Sequence, residues 1–276
     1  LQDPAPLDLP TLERYDVLVL MLPKEAYTVP EKEAIARWVH DGGRLVTVSD
    51  WTPWAGSSPA ILNEVHSYLG DGLSHAADIV QDPTDHAASL ATWPLIHEFA
   101  PEPINQGVRI VLQLGAASVQ LSGSAFGTAF GDDDTVAIPT MAAAADSTGI
   151  SGAQAAPAPA ERAIQPVVVQ AMAPVGQGDV WAISDANVWS SLDLFGGSTS
   201  VLYTYSNARL AHNVLAFGEV CQRCPVALFK DSDPWPWRDA ETGSRAGPAT
   251  SQAPGTTPAD ILSLTDANEQ VLHLRN

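Results

Sequence analysis

Residues 39–54, VHDGGRLVTVSDWTPW, decide the reading of the fold. Gly42-Gly43 end a helix, RLVTVS is a buried strand, and Ser49-Asp50 stands where that strand finishes. In an open α/β sheet, ligands sit beyond the carboxyl ends of the strands, so Ser49-Asp50 is the first candidate functional position.

Working outward, YDVLVLMLP at 15–23 is too short for a helix of its own and is bounded by Asp and Pro, which makes it a second buried strand. The helix between the two is TVPEKEAIARWVHDGG. Thr28 and Glu31 form a capping box, Pro30 lies in the first turn, and Ile35 and Val39 share one face. Strand, helix and strand joined by short turns make a right-handed βαβ unit, with parallel strands covered by helices. SSPAILNEVHSYLG at 57–70 adds a helix with Ser58 as its cap, Pro59 at its first position and Gly70 near its end.

From Gly107 the pattern changes to short strands punctuated by glycine, an expected antiparallel meander. Residues 141–163 are small and dotted with proline, and read as a mobile loop. PVVVQAMAPVGQGDVWAISD at 166–185 is two strands around a glycine turn. NARLAHNVLAFGEV at 207–220 is a helix presenting Leu210, Val214, Leu215 and Phe217 to a core. The expected division is an α/β domain over 1–224 and a linker-like tail over 225–276 with a short terminal strand. The pair Trp235 and Trp237 within DPWPWRD either docks on a partner or covers its own domain.

The 276 residues, 45% hydrophobic, suffice for a large core without metal or disulfide. The 32 acidic against 13 basic side chains give a net charge of -19, which repels phosphate backbones and anionic lipid heads and excludes nucleic acid as a partner. The longest apolar run, VLVLML at 17–22, is far short of the roughly 20 residues of a membrane helix, so no membrane insertion is expected. Three lysines among abundant alanine, proline and aspartate fit a bacterial, GC-rich genome. The chain begins at Leu1 with no leader-like segment, so a removed leader or an upstream start is expected. Cys221 and Cys224 form one CxxC, read as a local disulfide. That pairing favours an exported or envelope-associated location over a cytoplasmic one. A redox pair or half a zinc site are its alternatives, although the motif follows a helix and precedes Pro225.

YDVLVLMLP, TVPEKEAIARWVHDGGRLVTVSD, GDVWAISDANVW and NARLAHNVL, in this order, resemble the class I glutamine amidotransferase-like superfamily over residues 12–218. The resemblance is to its DUF4350 branch, which is similar to amidotransferase-like domains of gliding-motility and intraflagellar-transport proteins. It implies a flavodoxin-like three-layer fold with a mostly parallel sheet. Such domains open with a strand ahead of the YDVLV segment, whereas LQDPAPLDLPTLER stands here. That strand is therefore expected to be absent, upstream or supplied by another chain.

Class I amidotransferases carry a cysteine nucleophile on a tight strand-to-helix turn. Both cysteines here follow the last helix, so that mechanism is not expected. A serine nucleophile at Ser49 would need His66, His75 or His97 as base and Asp50 or Asp185 as orienter. Against it, G-x-S-x-G is missing and bulky Trp51 follows where an elbow needs small residues. Two strands end alike, VTVSD and WAISD. Together they outline a candidate ligand crevice of Ser49, Asp50, Trp51, Trp54, Ser184, Asp185, Asn187 and Trp189, able to hold a sugar or a cation. Alternatively, each aspartate caps a turn or helix.

Asn207 and Asn213 match the N..L..N.L of the family's final helix and are read as structural, the first as an N-cap and the second as a tie to a loop. GDDDT at 131–135 lacks the spacing of a calcium loop and reads as a solvated turn. The resulting expectation is a non-catalytic binding or scaffolding module, without cofactor or metal, with protein partners and room for a small-molecule or sugar ligand. The alternative is a hydrolase or carbohydrate-binding or modifying protein that uses the crevice.

Overall fold

The computed structural model describes residues 7–51, 59–140, 166–190, 201–216 and 274–275. Trp54, Ser58, Phe217, Cys221, Cys224, the 141–163 segment and the tryptophans of the tail lie outside the described residues.

After a one-turn helix α1 (Leu9–Leu12), β1 (Val17–Met21) and β2 (Arg44–Val48) run parallel, joined by α2 (Val29–His40). The capping box that opens α2 is complete. Thr28 Oγ1 accepts the Glu31 N–H at 3.4 Å, and the Glu31 carboxylate accepts the Thr28 N–H at 2.9 Å. Gly42, at φ +119°, turns the chain out of the helix in a conformation that only glycine adopts without strain. α3 (Pro59–Leu69) starts at the expected proline.

Eight strands follow before the next long hairpin. They are β3 (Leu73–His75), β4 (Asp78–Gln81), β5 (Leu95–Ile96), β6 (Glu98–Phe99), β7 (Val111–Leu112), β8 (Val119–Leu121), β9 (Phe126–Phe130) and β10 (Val136–Pro139). The hairpin is β11 (Val168–Val175) and β12 (Gly178–Ile183). α4 (Asn207–Ala216) and the two-residue β13 (Leu274–Arg275) complete the described elements.

The main sheet has the order β13-β1-β2-β12-β11-β9-β6. Its pairings from β13 to β12 are parallel and those from β12 to β6 antiparallel, so the sheet is mixed rather than mostly parallel. The reason is local. Only Gly176 and Gln177 separate β11 from β12, and two residues close a hairpin but cannot make a crossover.

The expected meander is also corrected. β7 pairs with β5, β8 with β3, β9 with β11 and β6, and β10 with β4, so none of these strands pairs with its sequence neighbour in the run. Each buries its apolar residues in a different place: Val111 under the main sheet on one side, Val119 on the other, Leu112 in a separate small cluster. Glycine punctuation announces short strands without naming their partners.

Continuous apolar strands here mean burial on both faces. Val17, Val19, Val46, Val48, Trp181 and Ile183 point into a cluster that includes Leu210 and Val214 of α4. Leu18, Leu20, Leu45, Val180 and Ala182 point the other way, onto Ile35 and Val39 of α2 and Leu62 and Val65 of α3. The protein is thus a mixed α/β structure with helices packed against both faces of its sheet.

Candidate functional site at the strand ends

β2 and β12 are neighbours at the centre of the sheet, parallel, in the register Arg44↔Asp179 to Val48↔Ile183. At the amino ends this register places opposite charges together. Arg44 Nε and Nη2 lie 2.7 and 2.8 Å from the two Asp179 carboxylate oxygens, and Arg44 Nη1 also donates to the Val214 carbonyl of α4 at 3.3 Å.

Carrying the same register two residues past Val48 and Ile183 sets Asp50 beside Asp185, like charge against like. Both side chains are buried completely. Trp51 N–H donates to Asp50 Oδ1 at 2.8 Å, and Asn187 Nδ2 donates to Asp50 Oδ2 at 3.1 Å. Asp185 accepts the Leu114 N–H at 2.6 Å and the Asn187 N–H at 2.7 Å, the latter as N-cap of the 3-10 turn Ala186–Trp189. Burial, and after it the Asp185 charge, pushes Asp50 up to about 9. Burial likewise pushes Asp185 up to about 7, opposed by the hydrogen bonds from Leu114 and Asn187. At neutral pH the pair therefore retains a proton that a solvated aspartate would release.

Segment 112–117 crosses over these strand ends. Asn187 Nδ2 donates to the Leu114 carbonyl at 3.1 Å, Trp51 N–H to Gly115 O at 3.0 Å, and Ala117 N–H to Ser184 O at 3.1 Å. Gly115 is at φ +78°, and a Cβ there would come within 2.5 Å of the Trp51 ring. Gln113 Nε2 reaches Ser184 Oγ at 3.5 Å. Backbone thus occupies the place where an open α/β sheet presents its crevice.

The structure brings Ser49, Asp50, Trp51, Ser184, Asp185 and Asn187 together, with Trp189 packed on the adjoining apolar cluster. It assembles no nucleophile–base pair from the residues that were expected to supply one. Ser49 Oγ donates to the Asp50 carbonyl at 3.4 Å. Nε2 of His66 and Nε2 of His75 each lie 3.0 Å from Thr47 Oγ1, and His97 pairs with Asp85 at 2.8 Å. Among the described residues no hydrogen bond joins Ser49 to a histidine.

Asn213 Nδ2 donates to Ile104 O at 2.7 Å and to Gln106 O at 2.9 Å. Asn207 serves differently from the expected cap. Its amide bonds both backbone groups of Leu112, at 2.9 Å each, because it faces the β7 strand that runs past the start of α4.

The sequence reading missed a second polar cluster under β2. Asp71 Oδ2 lies 2.7 Å from His66 Nδ1, and the two histidine rings are 5.5 Å apart. Its signal was present: Thr47 is a polar residue flanked by the apolar Leu45, Val46 and Val48 of its strand, and His66 lies one turn after Leu62 on the buried face of α3.

The chain matches no protein-family model and no curated protein sequence. Among solved structures it is similar to the mmIFT52 N-terminal domain, at 11% identity over 76% of this chain and 80% of that chain, with a TM-score of 0.53. It is also similar to the cytoplasmic proteins STM3548 and STM1381 of Salmonella typhimurium. Both are 13% identical over 76% of this chain, covering 74% and 75% of theirs, with TM-scores of 0.41 and 0.42. At these identities the mmIFT52 likeness is one of fold.

Proposed function

We propose that this chain is a non-catalytic binding or scaffolding module with the class I amidotransferase-like architecture, a flavodoxin-like three-layer arrangement over 1–224 followed by a tail over 225–276. One observation supports this reading above others. The strand ends where such sheets do chemistry are closed by the chain's own segment 112–117, with both carboxylates spent on backbone N–H groups and Asn187. Ser49, Asp50, Ser184 and Asp185 then form a structural joint, and recognition of a protein partner falls to the outer surface.

The test is chemical. A fluorophosphonate probe labels an activated serine and ignores an ordinary one. The full chain should show no labelling above that of a Ser49→Ala variant. Stoichiometric labelling of Ser49, lost in that variant, would replace this reading with the hydrolase.

A further inference from the structure

Thr47 Oγ1 lies 3.0 Å from His66 Nε2, 3.0 Å from His75 Nε2 and 3.2 Å from the Trp181 carbonyl oxygen. A hydroxyl has one proton to give and two lone pairs to offer. Asp71, 2.7 Å from His66 Nδ1, keeps a proton on that nitrogen. The Thr47 proton goes either to the Trp181 carbonyl or to His66 Nε2. In both cases the contact with His75 is completed by His75 Nε2–H donating to Thr47. His75 Nδ1 then holds a bare lone pair, and that atom is buried without a hydrogen-bond partner. The opposite tautomer would bury an N–H donor with no acceptor.

The cluster joins three elements. His66 belongs to α3, His75 to β3, and Thr47 to the central strand β2. Asn63 of α3 clamps β3 from both sides, accepting the His75 N–H at 2.8 Å and donating to the His75 carbonyl at 2.9 Å, so α3 and β3 move as one piece.

We propose that this joint is an acid-sensitive latch, in which a second proton on His75 finds no acceptor at Nδ1 and releases α3 and β3 from β2. Among the described residues nothing around His75 compensates that charge. From α3 the group facing it is His66, while Glu64 is paired outward with Lys32 of α2. Asp71, in the turn before β3, is engaged by His66 Nδ1 and the Leu73 N–H. β8 and β11 carry no titratable residue, and Asp179 of β12 points to the opposite face, onto Arg44. Burial, followed by His66, holds His75 well below the usual histidine range.

The direction follows from linkage. Below about pH 6.5 the unlatched state binds a proton that the latched state refuses, so the latch weakens as pH falls and is complete above that value.

The test is hydrogen exchange with mass spectrometry on the full chain from pH 7.5 to 5.5, corrected for intrinsic exchange. Wild type is compared with His75→Gln, whose Nε2 still reaches Thr47 and does not titrate. In wild type, peptides covering 59–75 and 119–121 should lose protection, with an opening constant that rises by up to about tenfold per pH unit below about 6.5. The variant should show no such trend. Identical pH dependence in the two proteins, or none in wild type, overturns the proposal. An NMR titration of the wild-type His75 ring decides independently, should the variant not fold. No titration down to the onset of opening is expected, whereas an ordinary histidine titration with the native spectrum intact refutes the latch.

Discussion

Replacing Asp50 by asparagine tests the central geometry, two aspartates set side by side in a buried register. Folding raises the Asp50 carboxyl from 3.8 to about 9, so between those values the folded state holds a proton that the unfolded state has released. Raising the pH therefore favours unfolding. One proton changes stability by at most about 1.4 kcal/mol per pH unit, which makes about 4 kcal/mol a ceiling between pH 5 and pH 8. Relaxation of the site brings the expected change to about 2–4 kcal/mol.

The Asp50→Asn substitution abolishes that contribution because an amide never ionises. It also turns an amide N–H toward Asn187 Nδ2, where Asp50 Oδ2 had accepted a hydrogen bond at 3.1 Å, a pH-independent loss of about 1–2 kcal/mol. The assay is urea denaturation of both proteins at pH 5, 6.5 and 8 at constant ionic strength. Titrations remote from the aspartate pair, His75 included, cancel in the difference. The stability of Asp50→Asn relative to wild type should rise by about 2–4 kcal/mol from pH 5 to pH 8. A difference that stays constant across that range would show that Asp50 is ionised and solvated, and the buried pair would have to be abandoned.

Two further outcomes follow from the same part of the molecule. Asn207→Ala leaves the N–H and C=O of fully buried Leu112 unpaired and should cost about 2–4 kcal/mol in urea denaturation, whereas Asn213→Ala, whose carbonyl partners are on a more exposed loop, should cost less. Gly115→Ala meets both the positive φ and the Trp51 ring. A loss of about 1–3 kcal/mol is expected, and an unchanged denaturation midpoint would mean that segment 112–117 does not lie against Trp51.

Much of the scaffold is local and was readable. The capping box at Thr28 and Glu31, the stop at Gly42 and the apolar runs of β1 and β2 each depend on residues a few positions apart. The likeness of VTVSD and WAISD was readable too, and it led to the aspartate pair. What the likeness could not convey was whether the two strand ends stay open. That depends on residues 112–117, some 60 positions from one aspartate and 70 from the other, whose tie to the site is made by backbone groups that every sequence possesses.

The sequence by itself determined the alternation of strands and helices, the parallel βαβ start and the strong acidity, because period, caps and charge are properties of neighbouring residues. Tertiary structure alone decided the partners of β7 to β10, the closing of the crevice and the meeting of Thr47 with two histidines. Those outcomes rest on which buried polar groups find one another across long stretches of chain. A donor and an acceptor are chosen there by position in space, and no spacing along the sequence encodes that choice.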